Sequence, residues 1–198
     1  MNLKHIKAVV LSLLMVVSSA QATLITHDSR NIANNYNEDI TLGAWYALTS
    51  NIDSQVITEF VNVKTGQNKF NFLTIDFTMD FDGTWNLDAG LDAGYGAALY
   101  LDGVAILQRT DDLWWSNNWN NSDVMSTSFD LSAGDHTIAL LWAEGCCNGA
   151  SSIRFSDNGG NDFSMLSVDN VNLATVPEPT SLALLGLALF GLALRRKA

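Results

Sequence analysis

The chain has 198 residues, with 21 acidic against ten basic side chains and a formal charge of −11. Such a surface repels phosphate backbones and anionic lipid, which excludes nucleic-acid binding through a basic patch and leaves divalent cations as the ions it attracts. Only two cysteines and two prolines are present, too few cysteines for a disulfide framework.

At the N-terminus Lys4 and Lys7 precede an apolar run from Ala8 to Val17, and small residues follow, ending in Ala20-Gln21-Ala22. Charge, apolar run and small-residue site in that order read as a secretory signal over residues 1–22, cut by signal peptidase after Ala22. A run of about ten apolar residues is short for a membrane span. Residues 23–175 then form one domain of ordinary size with a single buried core. Five of the ten basic residues lie in the two ends while all acidic residues but Glu178 lie between them, so this body carries a balance of −15.

Residues 23 to 55, rich in Asn and Asp, read as partly irregular. From Ile57 onward, short alternating or wholly apolar runs are divided by Gly, Asn and Asp, the pattern of strands and turns. The expected strands are Phe70–Met79, Thr84–Ala89, Ala97–Leu101, Val104–Gln108, Met125–Leu131, His136–Glu144, Ser151–Ser156 and Phe163–Leu173. Asp82-Gly83 and Asp102-Gly103 sit between such runs as hairpin turns, where φ > 0 is needed. Asn158-Gly159-Gly160-Asn161 is a surface turn, and Ala174 onward a tether. The fold class is all-β, an antiparallel two-sheet β-sandwich, flanked by an N-terminal signal helix and a C-terminal hydrophobic sorting helix.

Two stretches carry candidate binding chemistry. Asp111 to Asn121 places Trp114, Trp115 and Trp119 among amides and carboxylates. Aromatic faces stack on sugar C–H groups and planar amides bond hydroxyl pairs, so the composition suits a carbohydrate loop; a loop folded on its own tryptophans has the same composition. Trp45, Trp85 and Trp142 sit in apolar settings and belong to the core. The second stretch, Glu144-Gly145-Cys146-Cys147-Asn148-Gly149, holds both cysteines side by side. In an oxidising compartment a vicinal disulfide between Cys146 and Cys147 would fix this loop and offer a sulfur face to a sugar. Free thiols, bridges to another chain or a soft-metal pair are the alternatives.

Catalytic constellations are sparse. His27 and His136 are the histidines of the body, and His136 alternates with its neighbours as a structural strand residue. There is no His cluster, Gly-x-Ser-x-Gly elbow or phosphate loop. No residue is assigned a catalytic role; a hydrolase using two carboxylates is the weakest of three readings, because carboxylate separation is invisible in sequence.

The C-terminus reads Val176-Pro177-Glu178-Pro179, then an apolar run from Leu182 to Leu194, then Arg195-Arg196-Lys197. About 15 helical residues cover roughly 22 Å, short of the ~30 Å hydrocarbon core, so the run suits a transient anchor whose basic end stays cytoplasmic. Residues 176–198 resemble the PEP-CTERM sorting signal of Gram-negative bacteria, also labelled the ice-binding-protein C-terminal domain, a label for the tail alone. The resemblance implies recognition through Pro177, Glu178 and Pro179 by an exosortase, and passage from an inner-membrane intermediate to the outer surface or extracellular matrix. Glu144 to Gly149 is also similar to the C-C-x-G signature of one PEP-CTERM subgroup.

In the body, Asp76-Phe77-Thr78-Met79, Gly83-Thr84-Trp85-Asn86-Leu87, Gly96 to Gly103 and Gly134-Asp135-His136-Thr137-Ile138 occur in that order. Together they resemble the carbohydrate-binding β-sandwich of anthrax protective antigen and the yeast flocculins, over Phe72 to Ser156. The resemblance implies a calcium ion held by two adjacent aspartates beside the sugar. Only Asp92 stands at the matching place, in Leu91-Asp92-Ala93-Gly94; Asp88 and Glu144 read first as solvated turn residues and second as substitute ligands. The expected function is a non-catalytic surface module binding polysaccharide, with calcium as candidate cofactor, through Asp92, Glu144, Cys146, Cys147, Asn148, Trp114, Trp115 and Trp119. A structural matrix component without a pocket is the alternative.

Overall fold

The computed structural model describes residues 22–175. The signal helix and the sorting helix lie outside the described residues.

In chain order the elements are β1 (Leu24–Asn31), α1 (Leu42–Ala47), β2 (Asp53–Ile57), β3 (Val63–Lys64), β4 (Lys69–Met79), β5 (Gly83–Gly90), β6 (Asp92–Ala93) and β7 (Ala97–Leu101). They continue with β8 (Val104–Arg109), β9 (Leu113–Trp114), β10 (Met125–Leu131), β11 (Gly134–Glu144), β12 (Ala150–Ser156), β13 (Ser164–Met165) and α2 (Val168–Thr175). One sheet has the order β2-β1-β4-β11-β7-β8; the other runs β10-β5-β12-β13, with β3 against β12, and β6 and β9 form a separate short pair. Every named strand pair is antiparallel. The all-β sandwich read from the alternating pattern is the observed architecture.

The two sheets close on one core. Leu73, Ile75 and Phe77 of β4 and Ile138, Leu140 and Trp142 of β11 face Trp85, Leu87, Ile153 and Phe155 of the opposite sheet. Trp85 is stacked between rings from both sides, with centroids 4.9 Å from Phe77 and 4.7 Å from Phe155. The other face of β4 and β11 is also covered. Phe70, Phe72, Ala139 and Leu141 pack against Ile40 and Trp45 from the β1–β2 connection. Burial on both faces explains why Ile138–Ala143 of β11 reads as an unbroken apolar run, whereas Leu73–Met79 of β4, half-buried at every second residue, keeps its alternation.

Four expectations need correction. First, residues 23–55 are not mainly irregular, since they contain β1, α1 and β2. Strand β1 alternates buried and half-buried residues, but two of its inward positions are His27 and Ser29, and polar inward residues hide a period of two. His27 is accommodated by stacking on Trp142, with centroids 5.7 Å apart, and by hydrogen bonds to Asn71 and Gln55; burial holds its pKa below the usual imidazole value. Thr41 caps α1 by accepting from the Ala44 N–H at 3.0 Å.

Second, the stretch Phe163–Leu173 is not one strand. After the two residues of β13 the chain turns helical. Val168, Val171 and Ala174 recur every three residues, the spacing of a helical face, and Ser167 Oγ accepts from the Asn170 N–H at 3.2 Å as a cap. Third, no tether begins at Ala174: Thr175 is buried and its carbonyl accepts from the Asp80 N–H at 3.1 Å. Fourth, Asp82-Gly83 is no hairpin, because β4 and β5 lie in different sheets; the turn carries the chain across the sandwich, and neither residue adopts positive φ. Asp102-Gly103 is a true hairpin, with φ of 50° and 79° at its two residues.

Candidate functional site

One end of the sandwich gathers three connections. The chain leaves β5 through the buried Leu91 and forms β6, whose Asp92 pairs directly opposite Trp114 of β9. Residues opposite each other in a ladder project on the same side, so this small pair sets a carboxylate beside an indole. The Cys loop, residues 145–149, joins β11 in one sheet to β12 in the other and closes over them.

Hydrogen bonds tie the three together. The Gly149 N–H donates to Asp92 Oδ2, the Asp92 N–H donates to Ser151 Oγ at 3.1 Å, and the Gly94 N–H donates to Glu144 Oε2 at 3.3 Å. Gly149 has no room for a side chain, since an added Cβ would fall inside the Trp114 ring and 2.6 Å from Asp92 Oδ2. Cys146 and Cys147 form the vicinal disulfide, with Cα atoms 3.8 Å apart, and both are exposed. Cys147 and Asn148 have φ of 77° and 51°, so the loop turns sharply at the bond.

Asp92, Gly94, Asp112, Trp114, Glu144, Cys146 and Cys147 line a cavity of about 290 Å³. Trp114 is 46% exposed, a wall that a ligand can reach. The carboxyl groups of Asp92 and Glu144 are both buried and line the same cavity. Burial and then the charge of Asp92 push Glu144 up to about 7, against the opposing N–H groups of Gly94 and Cys146. Asp92 is raised chiefly by burial, opposed by the N–H of Gly149.

This pair makes a test of stability against pH. The folded state keeps the Glu144 proton from the ordinary 4.5 up to about 7, while the unfolded chain has already released it, so unfolding loses a proton and stability falls as pH rises through that window. Relative to Glu144→Gln, the wild type should lose roughly 1–2 kcal/mol between the ends of the window, a figure reduced for solvent screening. Urea midpoints of both proteins at acid and neutral pH measure it. A constant difference would show that folding does not raise the Glu144 carboxyl.

Of the eight residues expected at the site, Asp92, Glu144, Cys146, Cys147 and Trp114 converge on the cavity. Three do not. Trp115 is buried, its indole N–H donates to the Ala150 carbonyl at 2.6 Å, and it fills the space above Gly90, where an added Cβ would overlap its ring. Trp119 packs on Trp115 at 4.6 Å with the Arg154 guanidinium 4.4 Å above its ring. Asn148 turns its amide oxygen to the Gly66 N–H at 2.7 Å and braces a neighbouring loop. Within the tryptophan stretch Trp114 faces out, while Trp115 and Trp119 pack the loop on itself.

The calcium clamp does not fit the residues present. Leu91 occupies the place of the second aspartate and is buried in the core. Asp92 Oδ2 is taken by the Gly149 N–H, and Asp88 is committed to Arg154, whose Nε and Nη2 lie 2.9 and 2.8 Å from its Oδ2. Among the described residues no group of three or more His, Cys, Asp or Glu is arranged to hold a metal ion. In this arrangement Asp92 serves as a hydrogen-bond acceptor for the Gly149 N–H.

Sequence reasoning missed Asp112 and Gly94 in this cavity. Asp112 stands two residues before Trp114, and the period of two that puts alternate residues on one side could have found it. A second cavity, of about 450 Å³, is lined by Asn34, Gln67, Asn68, Gly94, Tyr95, Asp112, Gly145 and Cys146. Its polar residues come from loops with no sequence signal.

Comparison with solved structures finds the PA14 domain of the MpAFP antifreeze protein, at 12% identity and a TM-score of 0.51, covering 77% of this chain and 90% of that one. An anti-sigma factor domain-containing protein matches at 10% identity and a TM-score of 0.50, over 78% of this chain and 48% of that one, so the chain spans about half of its length. The Epithelial Adhesin 9 A domain of Candida glabrata, solved with Galb1-3GlcNAc, matches at 9% identity and a TM-score of 0.47, over 72% and 86% of the two chains. At such identities a likeness speaks to the fold alone. No curated protein sequence matches. No helix among the described residues is long and apolar enough to cross a membrane. The family model of the PEP-CTERM protein-sorting motif matches residues 175–197, beginning at the last of the described residues. The chain therefore carries a PEP-CTERM sorting motif, which implies an exported protein sorted to the cell surface.

Proposed function

We propose that residues 23–175 are a non-catalytic carbohydrate-binding module, displayed at the outer surface or in the extracellular matrix of a Gram-negative bacterium. Signal peptidase removes residues 1–22, and an exosortase processes the tail at Pro177, Glu178 and Pro179 after transient insertion of its apolar run in the inner membrane. The observation that carries the reading is the convergence of Trp114, Asp92, Glu144, Cys146 and Cys147 on one open cavity. An exposed indole offers a face for sugar C–H groups, a neighbouring sulfur pair gives a rigid apolar edge, and carboxyl oxygens accept from hydroxyls.

A glycan array probed with the full chain and with Trp114→Ala tests the proposal. Retention of one class of sugars by the wild type, lost in the variant, is the expected result. No retention by the wild type, with or without chelator, removes the reading.

A further inference from the structure

The larger cavity does not belong to the site as the sequence drew it. It shares Gly94, Asp112 and Cys146 with the Trp114 cavity as a common wall. We propose that it is a second sugar subsite, so that the ligand is a neutral glycan of at least two linked residues lying across Gly94 rather than a single terminal sugar. This rests on the carbohydrate reading above and adds ligand length, charge class and a second set of contacts.

Three observations support it. Asn34, Gln67 and Asn68 line the cavity, and among the described residues their side-chain amides make no hydrogen bond, so each keeps both a donor and an acceptor for vicinal hydroxyls. The wall behind them is built: the Tyr95 hydroxyl donates to the Asn34 carbonyl and the Tyr95 N–H to the Ala143 carbonyl at 3.0 Å. Gly145 lets the Tyr95 ring lie against the backbone, since an added Cβ would come within 3.0 Å of it. Gly94, between the cavities, is different. A Cβ there would meet only ordinary contacts, the nearest 3.5 Å away at Gly145 N, so packing does not demand glycine. What its missing side chain leaves is a low passage from one cavity to the other.

The lining also selects by charge. Asp112 stands on the shared wall, Asp92 and Glu144 beyond it, and among the described residues no Lys, Arg or His lines either cavity. Uronate and sulfated chains meet only like charge there, and hydroxyl-rich neutral chains meet no penalty.

The test is the full chain against monosaccharides, disaccharides and tetrasaccharides of neutral hexoses, N-acetylhexosamines and uronates, measured beside the double variant Asn34→Ala with Gln67→Ala, both exposed loop positions. Wild-type affinity should rise about tenfold from a neutral monosaccharide to its oligomers, as two or so new hydrogen bonds allow. The double variant should bring the oligomers back to the monosaccharide level and leave the monosaccharide unchanged. Equal affinity at every length, a length effect that survives the double variant, or preference for uronates overturns the proposal while the carbohydrate reading stands. Silence at every length and class overturns both.

Discussion

Replacing Trp85 by alanine should remove about 3–5 kcal/mol of folding free energy, the range for emptying a large aromatic site in a packed core. Trp85 is 1% exposed and has stacked partners from both sheets, Phe77 and Phe155. Its loss opens a cavity where the two layers meet, and strands held in a ladder cannot collapse to fill it. Set against a total of about 5–15 kcal/mol for an ordinary domain, the variant sits near the edge of folding. A lowered urea midpoint at unchanged slope is the readout. Trp85→Phe should be much milder, because it keeps a ring in the stack and deletes an indole N–H that has no acceptor among the described residues. Equal loss in both variants would mean that the stack contributes nothing beyond volume.

The second large effect is on binding and not on folding. Gly149→Ala should weaken sugar binding about 100-fold while shifting the urea midpoint little. The added methyl has to displace the Trp114 ring and the Asp92 carboxylate, and losing an aromatic anchor at the centre of a site is worth about 2–3 kcal/mol. Trp114 is exposed enough to swing outward, so the strands beneath need not move. Titration by tryptophan fluorescence or calorimetry, beside thermal unfolding, separates the two readouts. Unchanged affinity in a folded Gly149→Ala protein would move the ligand away from Trp114.

The strands that the sequence shows clearly are those whose alternation or apolar run reports burial directly, such as β4, β7, β10 and β11. Strand β1 was missed because His27 and Ser29 point inward, and α2 was read as a strand because Leu166-Ser167-Val168-Asp169 alternates before the helical spacing begins. At the site, Asp92, Glu144 and the cysteine loop stood out by their chemistry. Trp114 and Trp115 could not be told apart, because adjacent strand residues face opposite ways and no sequence pattern says which faces the core.

By itself the sequence determined the all-β class, the acidic body and the sorting motif, since periodicity, charge and a contiguous tail are local properties of the chain. Only the tertiary structure decided which loops meet. Antiparallel pairing of β6 with β9 sets Asp92 against Trp114, and the crossing from β11 to β12 lays Gly149 on both. Contacts between residues 57 positions apart in the chain, as in the Gly149–Asp92 bond, are fixed by strand register, which two-residue alternation specifies only up to the choice of partner.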